Sequence, residues 1–148
     1  VTTTGVPDRT PPVITLKNTV NLWPPNHRYS TVNVSSLVAA VSDNCGGSLN
    51  TVNVRITRAS SDEPEDGPGD DGATLQDIVI NNTCRAVQLR GERNGVSNGS
   101  IYTIELAIAD ASGNVGTASA QVAVPLNQAG LAAVLGLGPG YSVVASCP

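Results

Sequence analysis

Apolar and polar residues alternate along this chain in short runs, and turn-forming residues separate one run from the next. Within 29–34, Val32 and Val34 alternate with Thr31 and Asn33; from Val52, the residues Val52, Val54 and Ile56 alternate with Asn53, Arg55 and Thr57. Tyr102, Ile104, Leu106 and Ile108 share one face of 101–109, and Ala118, Ala120, Val122 and Val124 share one face of 118–124. Period two marks a half-buried strand, because successive side chains point to opposite faces. The apolar runs 12–16, 77–80 and 86–90 are also bounded by turn residues and bring the predicted strands to seven. A helical reading fails because Gly, Pro or Asn interrupts every stretch longer than about ten residues.

Seven short alternating strands predict an all-β fold, an immunoglobulin-like antiparallel sandwich. Tyr102 lies near the start of the sixth strand, where such sandwiches place a tyrosine whose hydroxyl ties the corner to the preceding strand; an ordinary core aromatic is the alternative. Alternating strand directions sort the connections into two ends. One end gathers Asp8, the "SDNCGG" connection with Asp43, Asn44 and Cys45, the "NNTC" turn with Cys84, and "DASGN" with Asp110 and Asn114. The other gathers the acidic stretch "SSDEPEDGPGDDGATLQD" and "GERNGVSNGS". A bridge between Cys45 and Cys84 is therefore expected, closing about 40 residues for roughly 4 kcal/mol in the chain-entropy model, with Cys147 left over.

Composition narrows the picture. The 148 residues suit one domain, 40% of them are hydrophobic without any Phe or Met, and 15 Gly and 10 Pro supply turns. Lys17 is the single lysine and the pI is about 4.7, so the basic stripe that nucleic acid or an anionic membrane surface requires is missing. No run of 18 apolar residues is present, and no signal peptide precedes Val1, so a mature or excised soluble segment without membrane insertion is expected. Three cysteines without C-x-x-C spacing, with His27 the sole histidine, argue against zinc and for a disulfide formed in an oxidising compartment.

"DRTPPVI" opening the module, "SDNCG" in its middle and "ADASGNV" before its last strand resemble the hyalin-repeat (HYR) and related bacterial immunoglobulin-like domains of secreted and cell-surface proteins, over about Asp8 to Val124. "LWPPNHRY" and "DEPEDGPGDDG…LRGERNG" look like a bacterial branch of that group. The resemblance implies a modular, non-catalytic, extracellular domain, repeated or appended to enzymes and adhesins. The chain then divides into an N-terminal segment, 1–7, a sandwich, 8–125, and an extension, 126–148, that such modules do not need. A free extension would expose Leu131, Val134, Leu135, Val143 and Val144, so it is expected to pack. Residues 141–147 alternate weakly and suit an edge strand of their own sheet or of the next subunit, where Cys147 would make an intermolecular contact.

Two acidic groups are candidates for chemistry. Six acids fall between Asp62 and Asp71, whereas the rest of the chain holds six acids against eight bases. An EF-hand is rejected, since a loop begun at Asp62 meets Pro64 and Ala73 at ligand positions. Three accounts of this stretch remain: a calcium site on Asp62, Glu63, Asp66, Asp70 and Asp71, charge pairing with Arg58, Arg90 and Arg93, or plain solvation. At the opposite end Asp8, Asp43, Asp110 and Asn114, with Asn44, form a second candidate calcium site; their alternative role is turn formation. Catalysis has little support: a triad would have to be built on His27, and no carboxylates pair across a cleft. One Trp, expected to cap the core as Trp23, and three Tyr make a thin platform for sugars. The expected function is a non-catalytic extracellular structural or adhesive module, calcium-stabilised if either acidic group holds an ion, with neighbouring modules or identical subunits as partners. Two other classes stay open. One is a filament subunit that donates a strand from "VTTTGV" or "GYSVVASC"; the other is a secreted enzyme's appendage that binds a glycan or surface protein.

Overall fold

The computed structural model describes residues 8–22, 28–44, 49–62, 77–90, 100–124 and 141–147. Among the described residues ten strands are present rather than seven: β1 (Val13–Leu16), β2 (Val20–Asn21), β3 (Tyr29–Asn33), β4 (Val38–Ser42), β5 (Arg55–Ser61), β6 (Ile78–Ile80), β7 (Ala86–Arg90), β8 (Ser100–Ala109), β9 (Val115–Val124) and β10 (Tyr141–Val144). A single helical turn, α1 (Val34–Leu37), separates β3 from β4. The strands form a five-stranded sheet, β10-β5-β8-β9-β2, a three-stranded sheet, β3-β7-β6, and the pair β1-β4. Val54, Ile56, Ile104, Leu106, Val122 and Val124 from the large sheet and its entry meet Val32, Val87 and Leu89 from the smaller one and Val34 of α1 in a single buried cluster. The period-two faces read from 101–109 and 118–124 are the faces that pack here. Among the described residues no helix is long and apolar enough to cross a membrane.

The β8–β9 hairpin is the spine. It pairs without a break from Ser100↔Val124 to Ala109↔Val115 and turns through Gly113, whose φ of +88° is a left-handed conformation that glycine adopts without a Cβ clash. At the other end of β8, Tyr102 is 2% exposed and donates its hydroxyl to the carbonyl of Arg90 at 2.9 Å. This is the corner tie expected of it.

Three expectations are corrected. Val52 does not point inward; it is 60% exposed, and β5 starts at Arg55. The Asn50 side chain accepts from the backbone of Val52 at 2.8 Å, and the Asn53 side chain accepts from the backbone of Asn50 at 3.0 Å, closing a 3-10 turn over Thr51–Asn53. Local side-chain bonds of this kind compete with a ladder and win here. Second, the strand 29–34 ends at Asn33: α1 buries Val34 and Leu37, and the chain continues as β4 against β1.

The third correction concerns the cysteines. Cys84 is bridged to Cys147, not to Cys45, which lies outside the described residues, and the bridge is intramolecular. β10 runs antiparallel to β5 from Tyr141↔Ser61 to Val144↔Arg58, and Ala145 N–H then reaches the Thr57 carbonyl at 2.9 Å. The Cys84 carbonyl accepts from Ile56 N–H at 2.8 Å, so both cysteines arrive at the start of β5. The end of the sandwich holding Cys84 was legible; the direction of β10, which delivers Cys147 there, was not. Across a separation of 63 residues the bridge is worth roughly 4 kcal/mol in the chain-entropy model. Val143 packs against the core, whereas Leu131, Val134 and Leu135 lie outside the described residues.

Candidate functional site

Three chain segments meet beyond the Gly113 turn. The exit of β4 lies beside the entrance of β1 because Val13 pairs with Ser42. The entrance of β1 in turn lies against β9, where a Cβ on Gly116 would overlap the carbonyl oxygen of Pro12. Only a residue without a side chain lets the two backbones approach this closely. Asp8, Asp43 and Asp110 are thus brought together from the approach to β1, the end of β4 and the β8–β9 turn.

Asp110 is the most fixed of the three. Its Oδ1 accepts from the backbone N–H groups of Ser112 and Asn114, both at 2.9 Å, and its Oδ2 accepts from Asn114 Nδ2 at 2.9 Å. The same Nδ2 donates to the Asp8 carbonyl at 2.9 Å, which ties the N-terminal approach to the hairpin. Asp8 Oδ1 accepts from Thr10 N–H at 3.0 Å, and Asp43 Oδ1 from Asn44 N–H at 3.0 Å. The Asn114 side-chain amide holds the Asp110 carboxyl below the ordinary aspartate value, helped by the backbone of Asn114, the Asp8 side chain and the backbone of Ser112, and opposed by burial.

One ligand atom from each of Asp8, Asp43 and Asp110 lies within 4.8 Å of the others, with Asp110 buried and the other two half-buried. Two oxygens that each sit 2.3–2.6 Å from one Ca²⁺ are separated by at most about 5 Å, so each pair of these carboxylates is within the span of one calcium ion. The donors are all oxygens, which suits a hard cation and not zinc. As turn formers the same residues also close their own loops, so both roles expected of them are compatible. A groove of about 190 Å³ elsewhere has Lys17 as its one ionisable lining residue, and that ammonium donates to the Ser35 carbonyl at 2.9 Å. The aspartate cluster is therefore the candidate site.

Of the other sequence-predicted residues, Asp62, Arg58 and Arg90 are described, and each has partners of its own. Asp62 is a backbone cap: its Oδ1 accepts from Ile101 N–H at 2.7 Å. Glu63, Asp66, Asp70, Asp71 and Arg93 lie outside the described residues, as do Trp23 and His27. Arg58 pairs with Glu105 across β8 at 3.6 Å, half exposed, and donates to Ser142 Oγ at 3.1 Å. Arg90 pairs with Asp77 at 3.2 Å, with side-chain exposures of 17% and 7%, and its guanidinium stacks 4.3 Å from the ring centroid of Tyr29. Asp77 was missed as a partner because it stands six residues beyond the acidic run; its position one residue before β6 was the available signal. Compared with protein-family models, with curated proteins and with solved structures, the chain matches none.

Proposed function

We propose that this chain is a non-catalytic extracellular structural or adhesive module whose end at Asp8, Asp43 and Asp110 is set by a bound calcium ion. The observation that carries this reading is the convergence of three carboxylates from three separate segments. Without a cation, like charges this close repel one another and loosen the approach to β1, the end of β4 and the hairpin turn; a divalent ion reverses the sign and cross-links all three. Three carboxylates leave several positions of a six- to eight-fold shell to water and backbone oxygens, an arrangement in keeping with the weak sites of extracellular modules. The Cys84–Cys147 bridge is consistent with an oxidising compartment.

Thermal melts of the protein in chelator and then in excess Ca²⁺ test the reading. At about 100 times Kd a single site adds roughly 2.7 kcal/mol, a rise of about 5–10 °C for a domain of this size. The rise should vanish in Asp43→Asn, whose side chain makes no described contact that holds the sandwich core together. Melts unmoved by calcium, or a rise retained in Asp43→Asn, would overturn the assignment.

A further inference from the structure

Among the described residues β10 is held by its disulfide, by the Ala145 N–H to Thr57 carbonyl bond at 2.9 Å, and by few contacts besides. Its ladder to β5 is four residues long, Arg58 adds one hydrogen bond to Ser142, Val143 is half-buried, and Val144 is 71% exposed. Beneath it β5 is a finished strand, paired along its other edge with β8 and anchored by Ile56 and Ala59, both at most 1% exposed. The edge of β5 that β10 covers is a row of backbone donors and acceptors of the kind that pairs with any suitable strand.

Covalent connection does not oblige β10 to lie on its own β5. In the order β10-β5-β8-β9, three steps separate the end of β9 from the start of β10, about 14 Å at the usual strand spacing. The register places those two points two residues of β8 apart in level, about 7 Å, since Val124 pairs with Ser100, and Tyr141 with Ser61, which pairs with Tyr102. Residues 125–140 join them, with a contour of roughly 50 Å. Among the described residues the one covalent tie of β10 to its own sandwich is the bond from Cys147 to Cys84, which sits on the β6–β7 turn and not on the strand β10 pairs with.

We infer that the β5 edge is an acceptor for the β10 segment of a second copy of this chain, and that the Cys84–Cys147 disulfide decides between self and partner. A dithiol reductant supplies two electrons and two protons; the S–S bond breaks to two thiols, and the dithiol leaves as its own disulfide. Tyr141–Val144 of one copy then takes the same register on Arg58–Ser61 of another, because the exchanged strand is chemically identical to the one it replaces. Each Cys147 arrives beside the other copy's Cys84. The occupant is specified by the present pairing: the edge already accepts this sequence.

The test uses the full-length chain in chelator, so that its outcome is independent of the calcium reading, and a Cys45→Ser background, so that only two thiols report. Cys84→Ser and Cys147→Ser variants are mixed and oxidised with a disulfide oxidant, which takes up two electrons and two protons as the thiols join; the product is mapped by non-reducing peptide analysis. The expected result is an intermolecular bridge between Cys147 of one copy and Cys84 of the other, lost when Val143→Asp is added to the strand donor. Folded, monomeric variants without that bridge would overturn the inference. Should either variant fail to fold, wild-type protein reduced by dithiol decides the matter by light scattering and hydrogen exchange. Concentration-dependent association with β5 and β10 amides still protected is expected. A reduced protein that stays monomeric at high concentration, whether or not β10 is protected, contradicts the inference.

Discussion

Tyr102, Arg90 and Asp77 form a buried polar group at the foot of β8, and each member depends on the others. The Tyr102 hydroxyl satisfies the Arg90 carbonyl, the Arg90 N–H donates to the Asp77 carbonyl at 2.9 Å, and the two side chains form an ion pair largely out of water. Removing one partner of such a pair strands the other charge. Asp77→Ala is therefore expected to lower unfolding free energy by about 3 kcal/mol or more, and Tyr102→Phe by about 1–2 kcal/mol; urea denaturation measures both, and equal, negligible effects would refute the network. At the opposite end Asp110 carries a pH signature. Its folded pKa lies below the unfolded value, so the stability it contributes is present above the unfolded pKa and is lost as pH falls through the folded one. The stability difference between wild type and Asp110→Asn should be constant from neutral pH down to about pH 5, then close below about pH 4. A gap that persists unchanged at pH 3 would show that the carboxylate charge contributes nothing.

At the scale of elements, what was legible followed the strength of the period-two signal. β8 and β9 are long, alternate cleanly, and bury the faces their sequence shows. β4 was missed because "VAAVS" places Ala39 and Ala40 at consecutive exposed positions and has no alternation to read. The start of β5 was misplaced because Val52 continues the apolar alternation while Asn50 and Asn53 quietly form a capped turn. Close approach is equally invisible to patterning: nothing in "NVGTA" marks Gly116 as the residue facing Pro12. Gly116→Ala must push β1 from β9, and is expected to cost about 1–3 kcal/mol, the usual range for overpacking. Because Asp8 reaches the hairpin through that contact, the same variant should also weaken calcium binding. A Gly116→Ala protein of unchanged stability and calcium response would show that β1 and β9 separate freely.

For the whole molecule, the sorting of loops into two ends was the productive step. Strand direction alone determines which connections share an end, and so places Asp8, Asp43, Asp110 and Asn114 together from the sequence. The missed β4 did not disturb this, since its pairing with β1 returns Asp43 to the neighbourhood of Asp8. The same sorting put Cys84 at that end but could not choose its partner, as two other cysteines were available and the course of the chain after Val124 was unread. Both the Asp8 approach and Cys147 lie at this end, so the Asn114 bond to the Asp8 carbonyl and the disulfide fasten the first and last described segments at the same end of the sandwich. The most direct measurement of the central claim is calorimetric titration of Ca²⁺ into metal-free wild-type protein and into Asp43→Asn. The account predicts one site in the wild type and its loss in the variant; an isotherm identical in both, or none in the wild type, would contradict it.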